Sequence, residues 1–436
     1  NTRTPRGDVG GTRCQAKGER RSGRDSGGVA LLHASVSPYP DVGEAVRMER
    51  GASWSMPAPI ADEEVSAVIS RLIGDPELVR QLGRLVLPPW MKGFLGSGWP
   101  ASAYVRRRLA GIDDVAGFQR LVAQFVLRLV RETTRSFTQT GLGALSPDRA
   151  FVFVGNHRDI ATDSLLLNYA LYVDHRATVR IAVGSNLDVM PFVIDIIRLN
   201  KGFFVPRGEG VDRRRYSALL ETADYIAGSI RGGESVWIAQ REGRSKDGFD
   251  ATDPSVLKML TLPRRKEIPG DVLADLHLVP VSISYEFDPC DGRKAAELAA
   301  IERDGVYKKG VDEDISSLRL GLAGYKGRVC LRIGTELDTR GLSGDEVARA
   351  IDLQVLGGQQ LFACNYVALS MLRVAPYSEV WNALQSNITV TSAEREQLLR
   401  RLPDDPLERL WCLRSYANPV VAKWKGNAGG LEPMSD

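Results

Sequence analysis

The chain has 436 residues, 43% of them hydrophobic and 25% charged, with a formal net charge of +3. That balance is ordinary for a globular protein, predicts roughly two or three lobes, and is too weakly basic to argue for a nucleic-acid partner. Five cysteines (Cys14, Cys290, Cys330, Cys364, Cys412) are odd in number and lack metal-ligand spacing, so they read as reduced thiols in a cytosolic protein. No uninterrupted apolar run of about 18 residues occurs, so no transmembrane helix is expected.

Residues 1–55 are expected to be a disordered basic tail, with the working protein starting near Met48 or Met56. The first 28 residues are rich in Gly, Arg and Ser and lack the apolar stretch of a secretory signal. Residues 56–140 read as a helical N-terminal region. Phe118, Leu121, Val122, Phe125, Val126 and Leu129 recur at helix spacing, and the pattern runs from Asp62 to about Phe137. Pro88-Pro89 and Gly96-Ser97-Gly98 divide it. Trp90, Met91 and Phe94, beside Lys92 and Trp99, fit loop packing or, less commonly, a membrane surface.

Between residues 141 and 340 short apolar runs alternate with helical patterns. Strands are predicted over 150–154, 178–183, 202–205, 235–239, 277–285 and 328–333, and helices over 162–172, 189–199, 211–230 and 254–260. Such alternation predicts an α/β domain, a mostly parallel sheet flanked by helices. Pro280 inside an apolar strand suits an edge or a bulge. Val329, Leu331 and Ile333 alternate with Arg328, Cys330 and Arg332, the pattern of a half-exposed strand. Residues 341–426 read as a helical C-terminal region, and 427–436 as a flexible tail.

Chemistry concentrates where predicted strands end. Asn156-His157-Arg158-Asp159 follows the run 151–155 and precedes a helix, and His157 is one of only four histidines. A His oriented by a carboxylate is the usual general base near neutral pH, and two carboxylates compete for the role of partner, Asp159 and Asp163. A lone His at a strand end is more commonly a cap or loop residue. His-Arg-Asp also opens the protein-kinase catalytic loop, but that loop needs an Asn where this chain has Ser164, and no Asp-Phe-Gly follows. Arg207 lies just past the strand at 202–205, and Arg241 and Arg244 lie past the one at 235–239. Singly, such arginines are mostly solvated surface charges. In a parallel sheet, however, the strand ends gather on one side, so these residues and His157 are candidates for a single anion-binding pocket. No second His lies within ligand spacing of His157, so no metal is implied.

Taken in order, Asn-His…Asp, Gly-Phe-Phe-x-x-Arg, Glu-Gly-Arg-Ser and Val-Pro-Val-Ser, spread over about 150–285, resemble the four blocks of the glycerolipid acyltransferases. That family includes the glycerol-3-phosphate and 1-acylglycerol-3-phosphate enzymes. The resemblance implies an O-acyltransferase of phospholipid synthesis, with His157 as general base and Asp163 as its orienting partner. It implies Asn156, Arg207, Arg241, Glu242, Gly243, Arg244 and Ser245 as the residues that bind the phosphorylated glycerol acceptor. It further implies acyl-CoA or acyl carrier protein as co-substrate, no other cofactor, and a cytoplasmic enzyme touching the membrane peripherally. Two features depart from the family pattern. Five residues rather than four separate His157 from Asp163, so strict spacing would land on Thr162, and one residue is missing between Gly243 and Arg244. A one-residue bulge ahead of the helix would still bring Asp163 to His157. The competing readings are a catalytically lapsed acyl-donor or lipid-binding protein of the same fold and a thioesterase-like hydrolase.

Overall fold

The computed structural model describes residues 58–76, 78–79, 99–185, 191–207, 213–310 and 313–428, all within one compact unit. The expected N-terminal tail, Met48 and Met56, the breakers Pro88-Pro89 and Gly96-Ser97-Gly98, and the Trp90, Met91 and Phe94 cluster lie outside the described residues.

Among the described residues three helices come first: α1 (Asp62–Gly74), α2 (Trp99–Leu109) and α3 (Val115–Thr133). Acidic Asp62, Glu63 and Glu64 open α1 and Arg71 lies in its last turn, which suits the helix dipole. In α3, Asp114 caps the N-terminus, and Phe118, Val126 and Leu129 turn inward. The helix was expected to reach about Phe137, but it stops at Thr133, and strand β1 (Thr134–Thr140) follows. The Thr133 and Thr134 hydroxyls donate to the carbonyls of Leu129 and Val130 at 2.8 and 2.7 Å, a local competition that disfavours further helix.

The remaining elements alternate through β2 (Val152–Gly155), α4 (Thr162–Val173), β3 (Arg180–Gly184), α5 (Pro191–Leu199), β4 (Gly202–Val205), α6 (Arg213–Arg231), β5 (Val236–Ala239), α7 (Pro254–Thr261), α8 (Pro269–Ala274) and β6 (Leu278–Tyr285). Two helices, α9 (Asp291–Asp304) and α10 (Glu313–Ala323), then precede β7 (Gly327–Ile333). The C-terminal region comprises α11 (Gly344–Gly358), α12 (Ala363–Met371), α13 (Tyr377–Leu384), α14 (Ser392–Leu399) and α15 (Pro406–Ala428), so Asn427 and Ala428 end a helix. Neither α9 nor α10 was expected. The buried stripe of α9 is built on Ala295 and Ala299, too small to register as a hydrophobic pattern.

One seven-stranded sheet runs in the order β1-β7-β6-β2-β5-β3-β4, and every neighbouring pair is parallel except β6 with β7. The mostly parallel sheet flanked by helices is therefore as expected. Central strand β2 is buried on both faces: Phe153 enters the core under α4, while Val152 and Val154 enter the core under α6, α7 and α11.

Two strand expectations change. Pro280 lies in a central strand, neither at an edge nor in a bulge. Its carbonyl accepts from Gly334, and the β6–β7 register begins only at Val281, so the missing N–H faces chain that has already left the sheet. In β7, Cys330 is buried, Arg328 lies over the Phe362 ring at 5.1 Å, and Arg332 packs against Gly358, because the C-terminal helices cover the face that was expected to be exposed. The four described cysteines are free and buried, and no described helix is long and apolar enough to cross a membrane.

Candidate active site

Strand β2 ends on Gly155, where a Cβ would come within 3.0 Å of Trp237 Nε1. The buried Asn156 amide then bridges to β6. Its Oδ1 accepts from Ile283 N (2.8 Å), and its Nδ2 donates to Ile283 O (3.0 Å) and Asp250 Oδ2 (2.9 Å). This tie fixes where the chain leaves the sheet, and the next side chain, His157, turns into a cavity with its ring edge towards Trp237 at 5.7 Å.

His157 Nδ1 lies 2.9 Å from Asp163 Oδ2. Asp163 is in the first turn of α4, where the helix dipole favours a carboxylate. The same oxygen accepts from the backbone N–H of Arg158 (2.6 Å) and Asp159 (2.9 Å), and Oδ1 accepts from the Tyr285 hydroxyl (2.7 Å). Asp159, the competing carboxylate, instead accepts from the N–H of Ala161 (3.1 Å) and Thr162 (2.9 Å) and so closes the turn that leads into α4. Its other oxygen is buried against Gly321, and burial together with nearby Asp163 raises its pKa. The extra residue between His and Asp is thus absorbed by the turn that Asp159 closes. Thr162, where strict spacing would put the carboxylate, lies 3.0 Å from the Tyr285 hydroxyl.

The cavity measures about 570 Å³ and its wall is largely apolar, drawn from α1, α2, α3, α5, β3 and α10 through residues such as Leu72, Phe118, Phe125, Phe192 and Leu318. Arg207, Gly243, Arg244 and Lys246 share it with His157. Arg207 lies over Gly184, where a Cβ would sit 2.2 Å from its Nε, and burial lowers its pKa against the opposing charge of Glu242 at 3.8 Å. Gly243 adopts φ 75°, a left-handed turn that suits glycine.

Other expected binding residues are placed differently. Asn156 spends its amide on β6 and Asp250. Ser245 donates its hydroxyl to Phe249 O (2.8 Å) and its N–H to His157 O (2.7 Å), tying the two loops together. Arg241 is half-buried and off the cavity wall, and Glu242 is exposed. Trp237, Lys246, Asp250 and Tyr285 were not foreseen. Tyr285 closes β6 much as His157 follows β2, and that strand-end position was the signal available. Among the described residues no group of three or more His, Cys, Asp or Glu is arranged to hold a metal.

Behind the His157 loop, Lys326 is fully buried, its Nζ donating to Thr133 Oγ1 (3.1 Å) and Gly324 O (2.9 Å). Burial pulls its pKa down from 10.5 to about 8, against the charge of Asp159. Between those two pH values the unfolded chain binds the lysine proton and the folded chain does not. The lysine's contribution to stability is therefore lowest below about pH 8 and rises as the pH climbs towards about 10.5. Urea unfolding of the wild type and Lys326→Met should show the wild type gaining relative to the variant between about pH 7 and about pH 10. A difference that stays constant with pH would contradict this.

Residues 136–284, about a third of the chain, match the protein-family model described as Acyltransferase, a span that contains His157, Asp163, Arg207 and Arg244. No curated protein matches the sequence. Among solved structures, the chain is similar to the 1-acyl-sn-glycerophosphate (LPA) acyltransferase PlsC from Thermotoga maritima. That match covers 67% of this chain and 91% of the other at 16% identity and a TM-score of 0.34, too loose a likeness to build on. As its four sequence blocks led us to expect, residues 136–284 of the chain form an acyltransferase domain.

Proposed function

We propose that this acyltransferase moves a fatty acyl group from an acyl thioester, acyl-CoA or acyl carrier protein, to a hydroxyl of glycerol-3-phosphate or 1-acylglycerol-3-phosphate. One observation carries the reading: a His157–Asp163 pair opens onto an apolar cavity that also holds Arg207, Arg244 and Lys246.

With Nδ1 engaged by Asp163, His157 keeps Nε2 for the acceptor. The acceptor oxygen attacks the thioester carbonyl carbon as Nε2 takes the hydroxyl proton. The tetrahedral intermediate then collapses, the C–S bond breaks, and the imidazolium returns the proton to the leaving thiolate. Asp163 fixes the imidazole tautomer and stabilises the imidazolium. The acyl chain occupies the apolar cavity, each buried CH₂ contributing about 0.8 kcal/mol. Arg207, Arg244 and Lys246 neutralise the acceptor phosphate, with Glu242 orienting Arg207. The hydrogen bond between His157 and Asp163 supports an active enzyme over a lapsed one.

Peripheral membrane contact belongs to the same proposal. Arg106, Arg107 and Arg108 of α2 and Arg120 and Arg131 of α3 are exposed, a charge pattern suited to an anionic leaflet. Cosedimentation with anionic liposomes at low salt should pellet the protein. Protein left in the supernatant would remove this part of the reading.

The direct test is thiol release from palmitoyl-CoA with glycerol-3-phosphate, with lysophosphatidate, or with no acceptor. Acceptor-dependent release is expected, and His157→Ala should lower kcat by about 100- to 10,000-fold. Release that needs no acceptor would instead indicate a hydrolase, and silence with both acyl-CoA and acyl carrier protein as donor would indicate a lapsed site.

A further inference from the structure

We infer that Tyr285 is a positioning residue for the reaction, its hydroxyl holding the Asp163 carboxylate so that Oδ2 faces His157. The inference rests on the reading of His157 as base and Asp163 as its partner.

The direction of each hydrogen bond follows from chemistry. A carboxylate only accepts, so the Tyr285 proton is committed to Asp163 Oδ1 at 2.7 Å. The 3.0 Å contact with Thr162 must then run from the Thr162 hydroxyl to the Tyr285 oxygen. A one-way chain results: Thr162 donates to Tyr285, Tyr285 to Asp163 Oδ1, and His157 Nδ1 to Asp163 Oδ2. In the neutral imidazole that tautomer leaves Nε2 as the acceptor, as a base requires.

Asp163 is only 3% exposed. Its Oδ2 has three donors, whereas Oδ1 has only the Tyr285 hydroxyl among the described residues. Burial, with Asp163 and Asp159 nearby, keeps the phenol well above its ordinary pKa, so it remains a donor across the working pH range. The extra residue in the His–Asp spacing therefore has a role: Thr162, standing where the family pattern has its carboxylate, orients the phenol that orients the displaced carboxylate.

Removing the phenolic hydroxyl leaves more of the Asp163 charge directed at the imidazole, which favours imidazolium. The acid limb of the kcat/KM profile should then move to higher pH. The other charges around the pair include Arg158 and Asp159 on the same loop, Asp250 and Lys294 bonded to that loop, Lys326 behind it, and Arg207, Arg244 and Lys246 on the cavity wall. None changes in Tyr285→Phe.

The test compares Tyr285→Phe, Thr162→Val, Asp163→Asn and Tyr285→Phe/Asp163→Asn with wild type in the thiol-release assay across pH. Tyr285→Phe should lower kcat by about 10- to 100-fold, the range expected for one hydrogen bond to a charged group, while both KM values stay within about twofold. Its acid limb should move up, and Thr162→Val, which keeps the phenol, should show a smaller effect in the same direction. On the Asp163→Asn background the Tyr285→Phe effect should vanish. Wild-type kcat in Tyr285→Phe, an unmoved acid limb, or an equal loss on both backgrounds overturns the inference. Full activity in His157→Ala and Asp163→Asn would instead overturn the underlying reading. If Tyr285→Phe does not fold, Thr162→Val decides: an unmoved acid limb there overturns the inference.

Discussion

A single buried carboxylate organises the site. Asp163 accepts from the His157 imidazole, two consecutive backbone N–H groups and the Tyr285 phenol. Such charge-assisted bonds contribute about 1.5–3 kcal/mol each, and a carboxylate buried without them would be far more costly. Satisfying all four donors at once admits one path for the chain between β2 and α4, so the conformation of the turn and the orientation of the His157 imidazole have the same cause.

The path is held from outside as well. Asp250 Oδ2 accepts from Asn156 Nδ2, Arg158 Nη2 and Gln359 Nε2, so the residues on both sides of His157 share one anchor with the end of α11. Lys294 of α9 donates to Arg158 O at 2.7 Å, and Lys423 of α15 to Gln359 O at 2.9 Å. These braces come from helices beyond residue 284, outside the span that matches the family model. The C-terminal helices therefore belong to the machinery that keeps His157 in place.

How much of this was legible follows physical lines. Strands buried on both faces, such as Val152–Gly155 and Gly202–Val205, announce themselves as apolar runs. Strand β1 does not, because Thr-Arg-Ser-Phe-Thr-Gln-Thr carries almost no apolar signal and is defined by its pairing with β7. Residue types in series reveal which groups can do chemistry but not which partner each one meets. His157 and Asp163 were readable as candidates because a His at a strand end is followed closely by carboxylates, yet choosing between Asp163 and Asp159 required the turn itself. Asn156 and Ser245 carry polar groups suited to a ligand, and only the fold shows those groups engaged with β6 and Phe249. Lys246 and Trp237 became visible once the sheet brought the ends of β2 and β5 together.

The central claim is that the apolar cavity beside His157 holds the acyl chain of a thioester donor. The measurement that reaches it most directly is photocrosslinking with a fatty acyl-CoA carrying a diazirine near the chain terminus, followed by peptide mass spectrometry. The account predicts adducts on cavity residues such as Phe118, Phe125 or Phe192, lost in the presence of excess unlabelled acyl-CoA. Adducts confined to the outer surface, or unaffected by competitor, would contradict it.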